Sequence, residues 1–225
     1  MNFSNETVIV LKNFAQINPS IVFKPGKKLT TISPQKSIMA TAEITDDFPS
    51  EGAVYDLGRF LGVVSMFESP AYTFNETHLD IRDNQKSVAY TFCSPEMIVK
   101  PSRETIDLPS IDVDINITNE QFQAVMRAAT IMQLPEICIA GRDDITLEAI
   151  DKENPTSDKY TQVLGANTTD NVFNFTFKTE NLKMLPGNYN VQITKKGISK
   201  FTSINDSGPK LTYWITVEHN LSEYN

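Results

Sequence analysis

The sequence contains few of the residues that most often perform catalysis or bind metals. Its 225 residues include two histidines, His78 and His219. They are far apart in the chain, and each lies in a strand-like stretch, so a histidine-based triad or metal cluster is hard to assemble. We therefore predict that the protein is not an enzyme and that it has no catalytic residues, no metal and no other cofactor.

Cysteine and long apolar runs are also scarce. The two cysteines, Cys93 and Cys138, each lie in an alternating apolar stretch, which predicts two reduced core thiols instead of a disulfide. No apolar run approaches the ~20 residues needed to span a bilayer. The first residues have neither the basic start nor the apolar stretch of a signal peptide. We expect a protein that stays in the cytoplasm where it is made and has no membrane partner.

Positive charge is in deficit, with 20 Lys and Arg against 28 Asp and Glu and a net charge of −8. This balance argues against a protein that coats nucleic acid with its whole surface, but it allows contact through one face.

Gly26-Lys27-Lys28 looks like part of a phosphate-binding loop. It lacks the upstream glycine and the following Ser or Thr of that motif, so we interpret it as a basic hairpin turn.

One order of elements occurs twice along the chain. Ser4 precedes a helical stretch that runs to Asn18 and is followed by a proline and an apolar strand. Thr118 precedes a second such stretch, which ends near Gln133 and is followed in the same way. Each start has a Ser or Thr cap and an acid in the first turn, which is typical of a helix N-terminus. Each stop before a proline is typical of a helix end.

The second part of each repeat also matches. Helices are predicted at 57–64 and 180–185, the latter closed by Pro186-Gly187, and alternating strand-like segments follow each of them. The fold class is therefore α+β, with two tandem domains that each pack two short helices on antiparallel sheets. We place the domains at 1–105 and 106–225, with a connector at about 97–112. A chance echo within one larger α+β domain is the alternative.

The predicted helices have one apolar and one polar side. In the first helix Asn5, Lys12 and Gln16 share a stripe, and in the third Gln123, Arg127 and Thr130 do so. The predicted buried sides comprise Val8, Leu11, Phe14 and Ala15 in the first helix, and Phe122, Val125, Met126 and Ala129 in the third. The second helix offers Arg59 and the fourth Lys183, so every predicted helix carries a cation. Such sparse cations suit loose contacts with phosphates, although an ordinary solvated helix face is the simpler alternative for each of them.

A colinear set of segments resembles the sliding clamp of T-even-like bacteriophages, which has a PCNA-like DNA clamp fold. The resemblance spans most of the chain but not 24–52, the connector or the tail, and no single motif in it is highly specific. Its segments are Leu11-Lys12-Asn13-Phe14-Ala15-Gln16-Ile17-Asn18, Val54-Tyr55-Asp56-Leu57, Phe60-Leu61-Gly62, Phe173-Asn174-Phe175, Leu182-Lys183-Met184 and Pro186-Gly187-Asn188-Tyr189.

The resemblance implies a ring-shaped homotrimer whose helices line a hole for double-stranded DNA, bound without regard to sequence. It also implies three kinds of partner: an ATP-dependent clamp loader, a DNA polymerase that binds through a C-terminal peptide, and factors of phage late transcription. The implied function is that of a processivity factor in the cytoplasm of the infected bacterial host, with a second use as a mobile activator of phage late transcription. A viral structural or assembly protein built from duplicated β-rich domains is the competing hypothesis.

The resemblance also assigns residues. Lys12, Arg127 and Lys183 match basic positions of the family's helices, whereas Arg59 stands where the family is not basic and Thr130 stands where it is. With Gln16 on the first stripe, the expected DNA-facing residues are Lys12, Gln16, Arg59, Arg127 and Lys183. Partner peptides of clamps dock near the connector, where the available apolar residues are Ile98, Ile106, Leu108 and Ile111. Packing of these four onto the adjacent sheet is the alternative.

Overall fold

The computed structural model describes residues 1–168 and 171–225, which divide into two compact units. Unit 1 comprises Met1–Ile106 and Asp206–Tyr213, and unit 2 comprises Asp107–Asn205 and Trp214–Asn225. The boundary between residues 105 and 106, inferred from the repeat, stays a prediction about independent domains. No helix within the described residues is both long and apolar enough to cross a membrane.

Unit 1 follows the predicted order of helix, strands, helix, strands. Strand β1 pairs with β4, β2 pairs with β3, and β5, β6 and β7 form a three-stranded sheet, with every pairing antiparallel. A 3-10 turn at Pro95–Met97 follows β7. The elements are α1 (Asn5–Ile17), β1 (Ile21–Phe23), β2 (Gly26–Ile32), β3 (Ile38–Phe48), β4 (Gly52–Val54), α2 (Leu57–Val64), β5 (Ala71–Phe74), β6 (His78–Asp83) and β7 (Lys86–Thr91).

Unit 2 is built around a five-stranded antiparallel sheet of order β11-β10-β9-β12-β16, and β13 pairs with both β8 and β14. Strand β15 belongs to unit 1 as far as Tyr213 and to unit 2 from Trp214. The elements are β8 (Val113–Ile117), α3 (Asn119–Met132), β9 (Glu136–Gly141), β10 (Asp144–Ile150), β11 (Tyr160–Ala166), β12 (Phe173–Lys178), β13 (Tyr189–Thr194), β14 (Ile198–Ser203), β15 (Lys210–Thr216) and β16 (Glu223–Tyr224), with a 3-10 turn at His219–Leu221.

The fourth predicted helix, at 180–185, is wrong. The structure has a 3-10 turn at Thr179–Asn181 instead. Within the described residues, unit 1 has two α-helices and unit 2 has one. Leu182 and Met184 are buried while Lys183 between them is exposed, and the Met184 amide donates to the Leu182 carbonyl at 2.9 Å, so the chain makes a tight turn here. Six residues before a proline are also too few to offset the cost of starting an α-helix.

Aromatic side chains fill the core of unit 1. Helix α1 packs against α2, β2 and β3. Phe3 stacks on Tyr72 with ring centroids 3.9 Å apart, and Phe23 stacks on Phe48 at 4.8 Å. In unit 2, α3 packs on β9, β10 and β11. Both cores therefore place a helix against antiparallel strands, as the apolar sides of the helices require.

The two cysteines are free thiols, as predicted. Cys138 is buried, and this burial is the main cause that raises the pKa of its thiol to about 12. Cys93 is half-buried, and burial again raises its pKa. Both side chains are therefore neutral at ordinary pH and poor nucleophiles, because the thiolate is the reactive form.

A buried hydrogen bond ties the end of unit 1's second segment to its first helix. Asn13 lies in the middle of α1 with only 4% of its surface exposed, and its Oδ1 accepts a bond of 2.9 Å from the Tyr213 hydroxyl. Tyr213 is fully buried on β15. Because a buried amide oxygen needs a donor, this contact fixes where 206–213 joins unit 1.

Replacing Tyr213 with Phe should lower the free energy of unfolding by about 1–3 kcal/mol, since it removes the donor and leaves a buried oxygen with one bond fewer. Urea unfolding followed by circular dichroism measures the change, with no expected effect on the slope. Tyr55→Phe is the matched control, because Tyr55 is 61% exposed and surface changes rarely exceed about 0.5 kcal/mol. Equal stability of the Tyr213 variant and wild type would contradict this role of the bond.

Candidate nucleic-acid interface

The first candidate surface is the outward side of α1. Ser4 caps the helix, because its Oγ accepts a hydrogen bond of 3.2 Å from the Thr7 amide, and its own amide donates to Asp46 Oδ2 at 2.6 Å. The Asp46 contact joins the helix start to β3. The rotation of α1 about its axis is thus fixed at its first turn as well as by its core.

The two sides of α1 divide as predicted. Leu11 and Phe14 are fully buried, and Val8 and Ala15 are half-buried. Asn5, Lys12 and Gln16 are all exposed along the opposite stripe. Ile9, which sequence reasoning missed, lies on that stripe between Asn5 and Lys12 with 42% of its surface exposed. The stripe therefore presents one cation beside amides and one bare aliphatic side chain.

Helix α3 repeats this arrangement in unit 2. Thr118 and Gln121 form a reciprocal capping box, in which each side chain accepts from the other's backbone amide, at 3.2 and 2.9 Å. Asn188 Oδ1 accepts from the Asn119 amide at 2.8 Å. The helix start is thus held both within α3 and by the turn before β13.

The predicted stripe of α3 is only partly exposed. Phe122, Val125 and Ala129 are buried as predicted, and Met126 is half-buried. Arg127 is exposed, whereas Gln123 is half-buried. Thr130 is exposed, but its hydroxyl donates to the Met126 carbonyl at 2.9 Å. Ile131, four residues after Arg127, is 80% exposed. Its place on the helical period would have revealed it.

The remaining two cations have different settings. Arg59 is exposed in the first turn of α2, where its amide donates to the capping Asp56 Oδ1 at 2.8 Å. Its side chain borders a cleft of about 330 Å³ with Tyr55, Val63 and Tyr90. Lys183 is exposed as predicted, but it lies beyond the 3-10 turn and not on a helix.

The structure groups these residues by unit. Lys12, Gln16 and Arg59 lie in unit 1 on two helices that pack against each other, and Arg127 and Lys183 lie in unit 2. All five side chains are exposed. That they face DNA stays a prediction.

The four apolar residues of the connector differ in how far they are buried. Ile98 is only 6% exposed and packs with Val22, Ala53 and Cys93, so the packing alternative describes it. The side chain of Asn18 holds this segment, since its Nδ2 donates to the carbonyls of Ile32 and Val99 at 2.8 and 2.9 Å. Ile106 and Leu108 are half-buried, and Ile111 is 54% exposed. Ile98 and Ile106 belong to unit 1, while Leu108 and Ile111 belong to unit 2.

The two histidines lie in different units. His78 Nε2 lies 3.6 Å from Asp80 Oδ1 and 3.2 Å from Asn75 Nδ2 on a surface strand, and His219 lies in the other unit. In 1–168 and 171–225, no three His, Cys, Asp or Glu side chains come together as a possible metal site.

Comparisons with known proteins agree with this architecture. The model of the DNA polymerase processivity factor family matches residues 4–99, and that of the gp45 sliding clamp, C-terminal family matches 114–219. A sliding clamp of Vibrio phage KVP40 is 31% identical over 97% of this chain and 99% of its own. A sliding clamp of Enterobacteria phage T4 is 30% identical over 88% and 89%.

A solved structure shows the same fold at much lower identity. The PCNA of A. fulgidus, solved with the C-terminal region of FEN-1, superposes with a TM-score of 0.71 at 13% identity. The match covers 96% of this chain and 97% of that one. The two-unit α+β architecture is therefore the clamp fold.

Replacing Thr118 with Ala should lower the free energy of unfolding by about 1 kcal/mol, because the first turn of α3 loses its cap and the capping box is broken. Thermal and urea unfolding measure the loss. Thr105→Ala, an exposed threonine outside any helix or strand, is the control and should behave as wild type. An equal loss in both variants would show that the cap does not stabilise α3.

Proposed function

We propose that three copies of this chain, which belongs to the sliding-clamp family of DNA polymerase processivity factors, close into a ring around double-stranded DNA. The observation that carries this proposal is the division of α1 and α3 into a buried side and an exposed stripe with a single cation. Such stripes touch phosphates at few points and read no base sequence. A protein that must move along DNA needs contacts of this kind.

The proposed DNA-facing residues are Lys12, Gln16, Arg59, Arg127 and Lys183. Each salt-sensitive phosphate contact adds affinity by releasing counterions, so a few contacts bind weakly on their own. Ile9 and Ile131 lie on the same stripes and supply no charge. A closed ring compensates for this weakness, because DNA leaves only when an interface opens or when it reaches an end.

We infer that the ring closes through edge strands. Strand β7 is an edge of the three-stranded sheet in unit 1, and β11 is an edge of the five-stranded sheet in unit 2. Both alternate in exposure, and Val163 on β11 is 56% exposed. Unpaired edges readily accept a strand from another chain. Pairing β7 of one copy with β11 of the next gives a head-to-tail contact, and such contacts generate a ring when the rotation between copies closes after three.

Other partners follow from the family. An ATP-dependent clamp loader opens the ring, and a DNA polymerase docks through a C-terminal peptide on the predicted patch of Ile98, Ile106, Leu108 and Ile111, of which Ile111 is the most accessible. Tethering keeps the polymerase at high effective concentration near the primer end. Factors of late transcription are a further class of partner, in the cytoplasm of the infected bacterial host. Family membership favours this reading over a structural or assembly protein.

The ring should be retained on DNA by topology. After loading onto nicked circular DNA by the clamp loader with ATP, we expect the clamp to remain bound during gel filtration and to be released when a restriction enzyme linearises the circle. Crosslinking before loading should give a discrete trimer. Equal retention on circular and linear DNA would indicate ordinary adhesion, and a monomer or a large shell would contradict the ring.

A charged residue on β11 tests whether this strand forms the ring interface. Val163→Asp should abolish both the trimer and retention on circles, because an unpaired carboxylate disfavours burial at the interface. Val172→Asp is matched in residue type and exposure, since Val172 is 50% exposed, and it lies outside β11. We expect it to behave as wild type.

Replacing Lys12, Arg127 and Lys183 together with alanine should leave the trimer intact but reduce loading and stimulation of the polymerase. The slope of log affinity against log salt should become shallower by up to about 3, as each lost phosphate contact removes about 0.9. Lys178, Lys196 and Lys210, also exposed, form a charge-matched control triple. If the variant with alanine at Lys12, Arg127 and Lys183 stimulated the polymerase as well as wild type at moderate salt, these residues would not face DNA.

A further inference from the structure

Unit 1 contains a cationic surface that the proposed ring does not use. The whole chain has a net charge of −8, but residues 7–42 include five lysines and no acidic residue. Three of these lysines, Lys24, Lys27 and Lys28, surround the turn between β1 and β2, where Gly26 adopts a φ of +109°. The turn therefore displays closely spaced positive charge.

The start of the connector adds two more cations to this turn. Lys100 borders the same small cavity as Lys24 and Val99, and Arg103 is exposed next to Glu104. We name the set of Lys24, Lys27, Lys28, Lys100 and Arg103 the hairpin patch. Glu104 lies beside these five cations, and Glu43 is opposite Lys28 in the register of β2 and β3, so the five cations outnumber these two acids.

Glu104 forms ion pairs with two lysines of the hairpin patch. Its Oε2 lies 3.2 Å from Lys28 Nζ, and its Oε1 lies 3.8 Å from Lys24 Nζ. The Glu104 side chain is 48% exposed, and the two lysine side chains are 45% and 39% exposed. Two ammonium groups thus converge on a single carboxylate in contact with solvent. Exposed pairs of this kind are weak, so a carboxylate from another molecule can replace Glu104.

Apolar side chains flank the charges. Met97 is 64% exposed and Val99 is 45% exposed, on either side of the buried Ile98. Asn18 holds this backbone through its bond to the Val99 carbonyl, so the two side chains are displayed from an anchored segment. Phosphate backbones gain little from such aliphatic neighbours, whereas a peptide that alternates acidic and apolar residues contacts both.

We propose that the hairpin patch binds an acidic peptide segment of a partner protein, whose carboxylates displace Glu104 from Lys24 and Lys28 while an apolar residue covers Val99. The site differs from the apolar connector residues proposed for the polymerase peptide, and it requires neither the ring nor DNA.

The test measures fluorescence anisotropy of a short labelled peptide of alternating Asp or Glu and Leu, added to the full chain at low and moderate salt. The control peptide has Asn and Gln in place of the acids. We expect binding of the acidic peptide alone. The double variant Lys24→Ala with Lys28→Ala should weaken it by about tenfold or more, as expected for loss of paired charges. Lys24→Arg with Lys28→Arg should retain it.

Two further variants sharpen the result. Glu104→Gln should tighten binding several-fold, because the internal competitor loses its charge. Lys178→Ala with Lys196→Ala removes the same net charge elsewhere, including a lysine 3.9 Å from Glu218, and should leave affinity unchanged. The proposal is overturned by equal loss in the two double variants, by weaker or unchanged binding in Glu104→Gln, or by absence of peptide binding at low salt. A duplex oligonucleotide that outcompetes the peptide would instead make the patch a nucleic-acid site.

Discussion

The burial of one side of each long helix against antiparallel strands is the constraint on which the surfaces of this protein depend. Leu11 and Phe14 leave α1 no freedom to turn, and Phe122 and Val125 do the same for α3. Because side chains return to the same side of a helix with a period of 3.6 residues, the buried side fixes the exposed stripe. Packing thus decides where Lys12 and Arg127 lie, and the caps at Ser4 and Thr118 fix where each stripe begins.

The exposed stripes are sparse in charge, and this sparseness sets the physics of the proposed function. Lys12 is accompanied by Ile9, and Arg127 by Ile131, so neither helix presents a continuous row of cations. Strong adhesion to DNA needs many phosphate contacts, and weak contacts exchange rapidly. In a clamp the enclosure supplies retention, so the helices are free to bind loosely. Retention and affinity are then separate properties: the ring interface sets retention, and a few side chains set the affinity for DNA.

The features that the sequence predicted are those with local causes. Caps, helical periodicity and prolines located α1, α2 and α3, and alternation located β5 to β7 and β13 to β15. The predicted helix at 180–185 failed because the segment is too short to start a helix alone, and it buries Leu182 and Met184 through a tight turn instead. The contact between Asn13 and Tyr213 joins residues 200 positions apart, and no local pattern encodes it. The burial of Ile98 against Val22 and Ala53, which the sequence left open as an alternative, likewise depends on residues distant in the chain.

Net charge is a poor guide to what this protein binds, because screening makes electrostatics local. At physiological salt, exposed charges more than about 8 Å apart act almost independently. Distant acids therefore do not cancel the lysines between residues 7 and 42, and the acids that act on Lys28 are its neighbours Glu104 and Glu43. That stretch contributes Lys12 to the stripe of α1 and Lys24 and Lys28 to the hairpin. These surfaces differ in shape and neighbours: the stripe is a straight helical row with isolated charge, whereas the hairpin gathers several ammonium groups around one carboxylate. The first suits a long polyanion that slides, and the second suits a compact acidic segment that stays.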